Sequence, residues 1–213
     1  MLHKVIEIRN LSDSTYVLRL ERNGFSFKPG QCVNIGLKGS GVNREYSTYS
    51  GIDEPYLEFL IKEVKGGTVS PRLRKVEPGT EVELHGPYGS FVIEPEQIET
   101  SRFVFIGTGT GIAPFHSFAR SYPNLDYQII NGIRDASEQF DCKDYDPSRL
   151  TCCVSREKWD GFNGRVTDYL KQTEIAQDKV YYLCGNQGMI YDVYDILRNA
   201  GVSGDQILTE AFF

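Results

Sequence analysis

The sequence has no apolar stretch that approaches the roughly 20 residues needed for a membrane-spanning helix. Its first residues, MLHKVIEI, contain neither a long apolar segment nor a small-residue cleavage site, so we expect no signal peptide and a cytoplasmic location. Positive charge is also scarce, because 29 acidic residues outnumber 23 basic ones and give a net charge of −6. General nucleic-acid binding is therefore not expected.

Paired cysteines are missing as well. The five cysteines stand at positions 32, 142, 152, 153 and 184, and no two of them form a CxxC pair. This pattern argues against a disulfide framework and against a zinc site. The sequence also lacks the CxxxxCxxC run of a plant-type iron–sulfur domain. We therefore expect no bound metal, and we expect the electron acceptor of any redox reaction to be another molecule.

What the sequence does contain is two halves of different character, which meet near residue 98. Before that point, segments such as STYVLRLE and EVELHG alternate apolar and polar residues, and Pro-Gly pairs mark turns. This alternation predicts antiparallel strands in a barrel or sandwich. After that point, apolar runs such as RFVFIG and VYYLCG are continuous, and residues 112–121, 164–172 and 187–200 have helical spacing. This order predicts a parallel α/β sheet.

A glycine-rich segment directly follows the first apolar run of the second half. Residues 107–115 read GTGTGIAPF, and glycines at alternate positions leave backbone N–H groups free to approach an anion at the start of a helix. Pro114 stands near the expected helix start, where its missing N–H is tolerated. Ile112 occupies the place of the last glycine of a GxGxxG motif, so a glycine-rich tight turn remains the alternative.

The first half has two segments suited to a phosphate group and an aromatic ring. Arg44, Tyr46 and Ser47 belong to the tetrapeptide REYS at the end of a predicted strand, where they offer a forked cation, a flat ring and a small hydroxyl donor. The segment GGTVS at 66–70 presents bare backbone amides to a second phosphate group. A surface arginine beside a buried tyrosine is the alternative interpretation of the tetrapeptide.

The order of these motifs resembles that of the ferredoxin–NADP(H) reductase family over nearly the whole chain. The matching segments are PGQ at 29–31, RxYS at 44–47, GGTVS at 66–70, GPYGSF at 86–91, GTGTGIAPF at 107–115, VSRE at 154–157, CGNQGM at 184–189 and EAFF at 210–213. The resemblance implies a β plus α/β architecture. A six-stranded antiparallel flavin-binding barrel in residues 1–97 is followed by a five-stranded parallel Rossmann-like NADP(H)-binding domain in residues 98–213, which ends in an aromatic tail.

By resemblance, the first domain binds FAD without a covalent bond. The diphosphate is assigned to Arg44, the isoalloxazine face to Tyr46 and the neighbourhood of the reactive ring nitrogen to Ser47. The other FAD-binding residues that the resemblance implies are Glu45, Gly67, Thr68, Val69, Ser70, Phe212 and Phe213. The hairpin insertion that clamps the adenine in plant-type members is absent from this sequence, so Phe213 is the candidate clamp and FMN is the alternative cofactor.

The resemblance also implies NADP(H) as the second cofactor. Its diphosphate is assigned to the loop of Thr108, Gly109, Thr110 and Gly111, and its nicotinamide to Cys184 and Gly185, with Met189 in the same motif. The catalytic residues implied are Ser47, Cys184, Glu210 and Phe212, with Glu210 on a proton path near Ser47 and Phe212 over the flavin ring. Cys184 also fits a purely structural role, because small buried cysteines often end buried strands.

Ser155 and Arg156 bear on the choice between NADPH and NADH. Arginine can grip a 2′-phosphate with two hydrogen bonds, and serine adds a further donor, so this pair predicts NADP(H). Arg165 lies close by in the sequence. The alternative is that Arg156 forms a salt bridge with Glu157 or Asp160.

The segment at 62–75 carries five basic residues and one acidic residue in a chain of net negative charge. It predicts a positive surface beside the flavin that suits an acidic ferredoxin or flavodoxin, although a solvated lysine-rich loop is the alternative. The sequence therefore predicts an FAD-dependent ferredoxin/flavodoxin–NADP(H) reductase. Two alternatives stay open: the NAD(P)H-dependent reductase component of a multi-component oxygenase or other electron-transfer complex, for which NADH is the expected nucleotide, and a non-catalytic flavin- or nucleotide-binding subunit.

Overall fold

The computed structural model describes residues 1–212, and these residues form two compact units. The first unit comprises residues 1–92 together with residues 116–121. The second unit comprises residues 93–115 and the described residues from 122 onward. Each unit has its own six-stranded sheet, so the change of character near the middle of the sequence corresponds to a change of sheet.

The first unit is an antiparallel sheet with strand order β4-β3-β6-β1-β2-β5. Its elements are β1 (Leu2–Asn10), β2 (Thr15–Glu21), β3 (Cys32–Leu37), β4 (Asn43–Ser47), β5 (Tyr56–Lys62), the short helix α1 (Ser70–Leu73) and β6 (Glu81–Tyr88). The predicted number and direction of strands are confirmed. The strands form because apolar and polar residues alternate with a period of two, which gives each strand one apolar face for the barrel interior.

This sheet curls into a barrel-like shape that no β4–β5 ladder closes among residues 1–212. The two edge strands are β4 and β5. Just beyond β4, the Tyr49 N–H donates a hydrogen bond of 2.8 Å to the Glu58 carbonyl oxygen of β5. This bond and the bond of 3.0 Å from the Glu58 N–H to the Ser50 hydroxyl draw the barrel together just beyond β4, and among residues 1–212 the outer edge of β4 has no neighbouring strand.

Large apolar side chains fill the interior of the first unit. Tyr16, Leu18 and Leu20 alternate along β2 and are fully buried, as the period-two pattern requires. Val33, Ile35, Leu57, Phe59, Ile61, Val82 and Leu84 belong to the same cluster. Each such side chain stabilises the fold by about 1.5–3 kcal/mol through removal of its surface from water.

Residues 116–121 complete the first unit from the end of helix α2 (Ala113–Ser121). The ring of His116 stacks on Tyr49 with 3.8 Å between centroids, and its Nδ1 lies 2.6 Å from the Tyr49 carbonyl oxygen. The Ser117 hydroxyl donates to the Ser50 carbonyl oxygen over 2.8 Å. These contacts hold this part of the helix against the chain that follows β4.

The second unit is a parallel sheet with strand order β10-β9-β8-β7-β11-β12. Its elements are β7 (Arg102–Thr108), β8 (Asp126–Ile133), β9 (Leu150–Val154), β10 (Phe162–Asn163), α3 (Val166–Leu170), β11 (Val180–Asn186), α4 (Gln187–Asn199) and β12 (Ile207–Phe212). The parallel α/β fold is confirmed, and its central strands are buried on both faces, which explains their continuous apolar sequences.

The predicted five strands become six, because the two residues of β10 pair with the end of β9. A strand of two residues leaves no periodic pattern in a sequence. The connection from β8 to β9 also differs from the α-helical crossovers of this unit, since it consists of three short 3₁₀ turns at Ala136–Glu138, Cys142–Asp144 and Pro147–Arg149.

Helix α4 begins at Gln187, where the helical spacing predicted for residues 187–200 also begins. The Asn186 side chain caps the helix by accepting a hydrogen bond of 3.2 Å from the Met189 N–H. Met189, Ile190, Val193 and Leu197 are buried at helical spacing in the core of the second unit. The cap and the buried stripe together place the start of α4 directly behind β11.

Candidate functional site

Strand β4 carries the tetrapeptide REYS and lies at the edge of the first sheet. Arg44 and Tyr46 share one face of the strand, and Glu45 and Ser47 share the other. Tyr46 is half-buried against the barrel core, whereas Arg44 is exposed and donates a hydrogen bond of 2.7 Å to the Asn43 carbonyl oxygen. Glu45 is exposed and Ser47 is buried. A cation and a ring therefore lie on one face of this edge strand, and the Ser47 hydroxyl is buried on its opposite face.

The Tyr46 phenol stays neutral over the whole physiological range. Burial raises the pKa of Tyr46 to about 12, and the nearby positive charge of Arg44 opposes this rise. Arg44 and Tyr46 are two residues apart on the same face of β4, so the cation and the ring are neighbours along the strand. A neutral ring beside a cation suits a ligand with both an aromatic and a phosphate part.

The segment at 64–70 forms a tight turn that leads into helix α1. Gly66 has a φ of +76°, which favours glycine, and the Gly67 N–H donates over 2.8 Å to the Val64 carbonyl oxygen. A Cβ on Gly67 would lie 2.9 Å from the same oxygen, so the turn needs glycine here. Within residues 1–212, the N–H groups of the next three residues (Thr68, Val69 and Ser70) have no acceptor. These three donors fit a diphosphate.

Phe213, the candidate clamp for the adenine, lies outside the described residues.

In the second unit, the predicted phosphate loop follows β7 as a 3₁₀ turn over Gly109–Ile112, and Pro114 is the second residue of helix α2. A Cβ on Gly111 would lie 2.3 Å from the Cys184 carbonyl oxygen. A Cβ on Gly185 would lie 2.6 Å from Thr108 Oγ1. The loops that follow β7 and β11 are therefore in direct backbone contact, and only glycine permits this approach.

Open space surrounds the other side of this loop. No atom lies within 4 Å of a Cβ built on Gly109, whose φ is +55°. The Thr108 hydroxyl accepts a hydrogen bond of 3.1 Å from the Asn186 N–H, which fixes the loop to the start of α4. The carboxyl edge of this sheet therefore offers a rigid loop with bare backbone toward solvent, the geometry that fits a nucleotide diphosphate.

The nicotinamide residues predicted by the resemblance lie on two adjacent strands of the second unit. Cys184 pairs with Glu210, and Asn186 pairs with Phe212, in the parallel ladder of β11 and β12. Glu210 and Phe212 are half-buried, while Cys184 is fully buried. Burial, and then the charge of Glu210, raise the pKa of the Cys184 thiol well above its ordinary value. The thiol therefore stays protonated, which excludes a thiolate nucleophile.

Met189 packs in the hydrophobic core of the second unit, so the structure places its side chain among apolar neighbours.

Ser155 and Arg156 follow strand β9 at the same edge of the sheet. The Ser155 hydroxyl donates to the Ile133 carbonyl oxygen over 3.1 Å, and the Arg156 N–H donates to the Arg134 carbonyl oxygen over 3.0 Å. Arg156 is exposed, and within the described part of the chain its guanidinium has neither an ion pair nor a hydrogen bond. Glu157 instead accepts a hydrogen bond from the Ala136 N–H. The Arg156 fork is therefore available to an anion.

Two residues at these edges were missed by the sequence reasoning. Arg134 is exposed beside Arg156 at the end of β8, and its position after the run YQIINGI was a usable signal. Asn186 joins the Thr108 loop to helix α4. Its position just before a predicted helix was the corresponding signal for a cap.

The described residues contain neither a helix suited to span a membrane nor a metal-binding cluster. None of the helices among residues 1–212 is both long and apolar enough to cross a membrane. The same residues contain no group of three or more His, Cys, Asp or Glu side chains arranged to hold a metal ion.

Comparison with known proteins assigns both units to families. Residues 3–93 match the oxidoreductase FAD-binding domain, and residues 105–195 match the oxidoreductase NAD-binding domain. The first match includes the REYS and GGTVS segments, and the second includes the loop after β7 and the Ser155 region. The donor sets described above fit the two cofactors that these family names give.

Individual proteins are similar over most of the chain. The toluate 1,2-dioxygenase electron transfer component of Pseudomonas putida is 29% identical over 98% of this chain, and this chain covers 66% of that protein. The flavodoxin/ferredoxin–NADP reductase of Escherichia coli (strain K12) is 27% identical over 89% of this chain and 86% of that protein. The crystal structure of the cytochrome P450 reductase GcoB from Amycolatopsis is 25% identical, with a TM-score of 0.87 over 99% of this chain and 68% of that chain.

The order of the motifs, the two sheets and the two domain matches agree with one another. The chain belongs to the ferredoxin–NADP(H) reductase family of FAD-dependent oxidoreductases, in which an FAD-binding domain precedes an NAD-binding domain.

Proposed function

We propose that this chain moves electrons between NADP(H) and a separate ferredoxin- or flavodoxin-like redox protein. The observation that carries the proposal is the occurrence in one chain of an FAD-binding domain and an NAD-binding domain. We assign the flavin to residues 1–97 and the nucleotide to residues 98–213. FAD, when bound, supplies two-electron exchange with a nicotinamide and one-electron exchange with a redox protein.

The residues of the first unit bind and orient the flavin in this proposal. Arg44 forms charge-assisted hydrogen bonds to the diphosphate, and the N–H groups at residues 68–70 add three uncharged donors. Tyr46 packs its neutral ring on the isoalloxazine, and Glu45 and Ser47 lie along the same edge strand. Since no strand among residues 1–212 pairs with the outer edge of β4, the backbone groups there are available to the polar rim of the ring.

The residues of the second unit bind the nucleotide. The backbone of residues 108–111 holds the diphosphate, and the Thr108–Asn186 bond keeps that loop in place before a ligand arrives. Cys184, Gly185, Glu210 and Phe212 form the nicotinamide end of this unit, since they lie on paired strands. Glu210 is half-buried and ionisable, so it is the residue there that can hold or release a proton.

The preference for NADP(H) rests on Arg156. Its guanidinium is exposed and has no partner among residues 1–212, while Arg134 stands beside it. Two adjacent forked cations suit a 2′-phosphate, which NADH lacks. Ser155 joins this group when its hydroxyl turns from the Ile133 carbonyl oxygen toward the phosphate.

The partner protein is proposed from the charge of the segment at 62–75. Lys65, Arg72 and Lys75 are exposed, and Val64 is 58% exposed among them. Arg74 was counted in this positive surface, but the structure pairs it with Glu63 at 3.1 Å. The remaining exposed cations around an apolar residue fit an acidic electron carrier, because complementary charge steers association.

A second candidate function is favoured by the toluate dioxygenase relative. In that case the chain would be the reductase component of an oxygenase system and would use NADH. Arg156 counts against this candidate, because a reductase specific for NADH has no use for a cation at the position of the 2′-phosphate.

The proposal is tested first on the purified protein. It should be yellow, and acid treatment should release FAD, since neither cysteine nor histidine stands in the REYS tetrapeptide to form a covalent link. Stopped-flow reduction should then be faster with NADPH than with NADH. Release of FMN alone, or flavin that remains on the denatured chain, would refute the assigned flavin site. A colourless protein that cannot be reconstituted would support the non-catalytic alternative, and equal or faster reduction by NADH would favour the oxygenase component.

A further inference from the structure

Tyr16 is a buried phenol that belongs to none of the motifs discussed above. It lies on β2 inside the barrel with no exposed surface. Its hydroxyl donates a hydrogen bond of 2.7 Å to the carbonyl oxygen of Ser70, 54 residues away. Ser70 is the first residue of helix α1 and the last of the three whose N–H groups have no acceptor in the described structure.

Ser70 is held by three bonds, and Tyr16 supplies the one that comes from a distant part of the sequence. The Ser70 hydroxyl accepts a hydrogen bond of 3.0 Å from the Val64 N–H, and its carbonyl oxygen also accepts one of 3.1 Å from the Arg74 N–H. The latter two bonds are local, because they join residues of the same turn and helix. Among residues 1–212, the bond from Tyr16 is the one hydrogen bond that joins the Ser70 carbonyl to the barrel interior.

Arg74 fixes the other end of the same helix. Its guanidinium pairs with Glu63 at 3.1 Å and donates to the Asn10 side chain and the Ser12 carbonyl oxygen, both at 2.8 Å. It also lies 5.7 Å from the centre of the Tyr16 ring. Helix α1 has only four residues and cannot hold its own geometry, so its position depends on Tyr16 and Arg74 together with its own buried side chain Leu73.

We propose that Tyr16 is a positioning residue for the flavin diphosphate: it holds the Ser70 carbonyl so that the N–H groups at 68–70 stay aimed at the phosphates. This inference rests on the proposed flavin site. The Ser70 carbonyl and the Ser70 N–H flank the same α-carbon, so a carbonyl tied to the barrel leaves less rotational freedom to the residue that carries the last of the three donors. The second anchor, Arg74, keeps the helix from swinging away from the barrel.

The test is Tyr16→Phe, which removes one hydroxyl and keeps the ring. We expect the dissociation constant of FAD for the reconstituted apoprotein to rise by roughly 3- to 10-fold, the usual effect of one neutral hydrogen bond. Riboflavin, which has no phosphate, should bind the wild type and the variant equally. The ³¹P signals of bound FAD should shift in the variant, since the phosphates meet displaced donors.

Tyr181→Phe is the matched control. Tyr181 is also a buried tyrosine whose hydroxyl donates 2.7 Å to a backbone carbonyl oxygen, that of Ala176, but it lies in the second unit. The Tyr181→Phe substitution should lower the melting temperature by about as much as Tyr16→Phe does, and it should leave the affinity for FAD unchanged. Equal loss of FAD affinity in both variants would mean that any lost hydrogen bond has this effect, and the inference would be wrong.

Arg44→Ala separates failure of this inference from failure of the flavin site itself. If Arg44→Ala weakens FAD binding and Tyr16→Phe does not, the site stands and the positioning role is overturned. If Arg44→Ala has no effect on FAD, the assigned flavin site is wrong and the inference falls with it. If Tyr16→Phe weakens riboflavin as much as FAD, Tyr16 only stabilises the barrel, which also overturns the inference.

Discussion

Each unit has a glycine-containing loop that leads into a helix, and the two loops are held in different ways. In the first unit, the loop before α1 is held by side chains from distant parts of the sequence, Tyr16 and Arg74. In the second unit, the loop after β7 lies directly against the backbone of β11, since Gly111 touches the Cys184 carbonyl, and the Thr108 hydroxyl adds one bond from the Asn186 N–H. A loop held by side chains should weaken gradually when they are changed, whereas a loop held by backbone contact has no room for an added atom.

The largest expected effect follows from the backbone contact in the second unit. Gly111→Ala would place a Cβ 2.3 Å from the Cys184 carbonyl oxygen, so the two loops must separate. Overpacking of this kind costs about 1–3 kcal/mol or more, and we expect loss of nucleotide binding with a melting temperature lower by several degrees. FAD content should not change. Calorimetry and nucleotide titration measure these effects.

Gly109→Ala is the control in the same loop. Its added Cβ meets no atom within 4 Å, and only the φ of +55° opposes it. The cost of alanine at this left-handed φ should be about 1–2 kcal/mol, and nucleotide binding should largely survive. If both variants lose binding equally, the contact with Cys184 does not explain the glycine at 111.

The next largest effect is a difference between the affinities for NADPH and NADH. Arg156→Ala removes a charge-assisted contact, which costs about 1.5–3 kcal/mol or roughly 10- to 150-fold in affinity. We expect this loss for NADPH and almost none for NADH, as measured by titration of the oxidised and reduced nucleotides. Lys171→Ala, an exposed lysine of the same unit, is the control and should change neither. Equal losses for both nucleotides would show that Arg156 is structural.

A smaller effect is expected at the surface of the first unit. Reversing two exposed charges with Lys65→Glu and Arg72→Glu should slow electron transfer to an acidic ferredoxin or flavodoxin by roughly 10-fold at low salt. The difference should shrink as ionic strength rises, because salt screens exposed charges. Lys171→Glu makes the same type of change in the second unit and should have no effect. Unchanged rates in the double variant would remove the segment at 62–75 from the docking surface.

The smallest effect concerns alkaline stability of the second unit. Burial, followed by the neighbouring Cys142, raises the pKa of the Cys152 thiol from 9.0 to about 11. The unfolded chain loses this proton at lower pH than the folded one, so the contribution of Cys152 is complete below pH 9 and is lost as pH rises to about 11. Urea unfolding at intervals from pH 8 to 11 should show the decline, and Cys152→Ala should make it shallower. An identical slope in the variant would contradict the assignment.

The sequence alone predicted most strands and the order of the two halves, because both depend on local patterns. Period two along β2 and continuous apolar runs in β7 and β11 are visible without any contact. The glycines of the phosphate loops were also visible. The role of Arg74 was not, since counting charges in the segment at 62–75 could not show that Glu63 and the turn after β1 neutralise and bind it.

What the sequence by itself determined is therefore the family, the two-sheet architecture and the residue types available at each loop. Only the tertiary structure decided which distant residues meet there. Tyr16 reaches Ser70 because its side chain points from β2 into the barrel core, where the segment that leads into α1 also packs, and Gly111 touches Cys184 because β7 and β11 are neighbours in the sheet. The order of the strands brings these atoms together across long sequence separations. Such contacts cannot be predicted from the local spacing of residues.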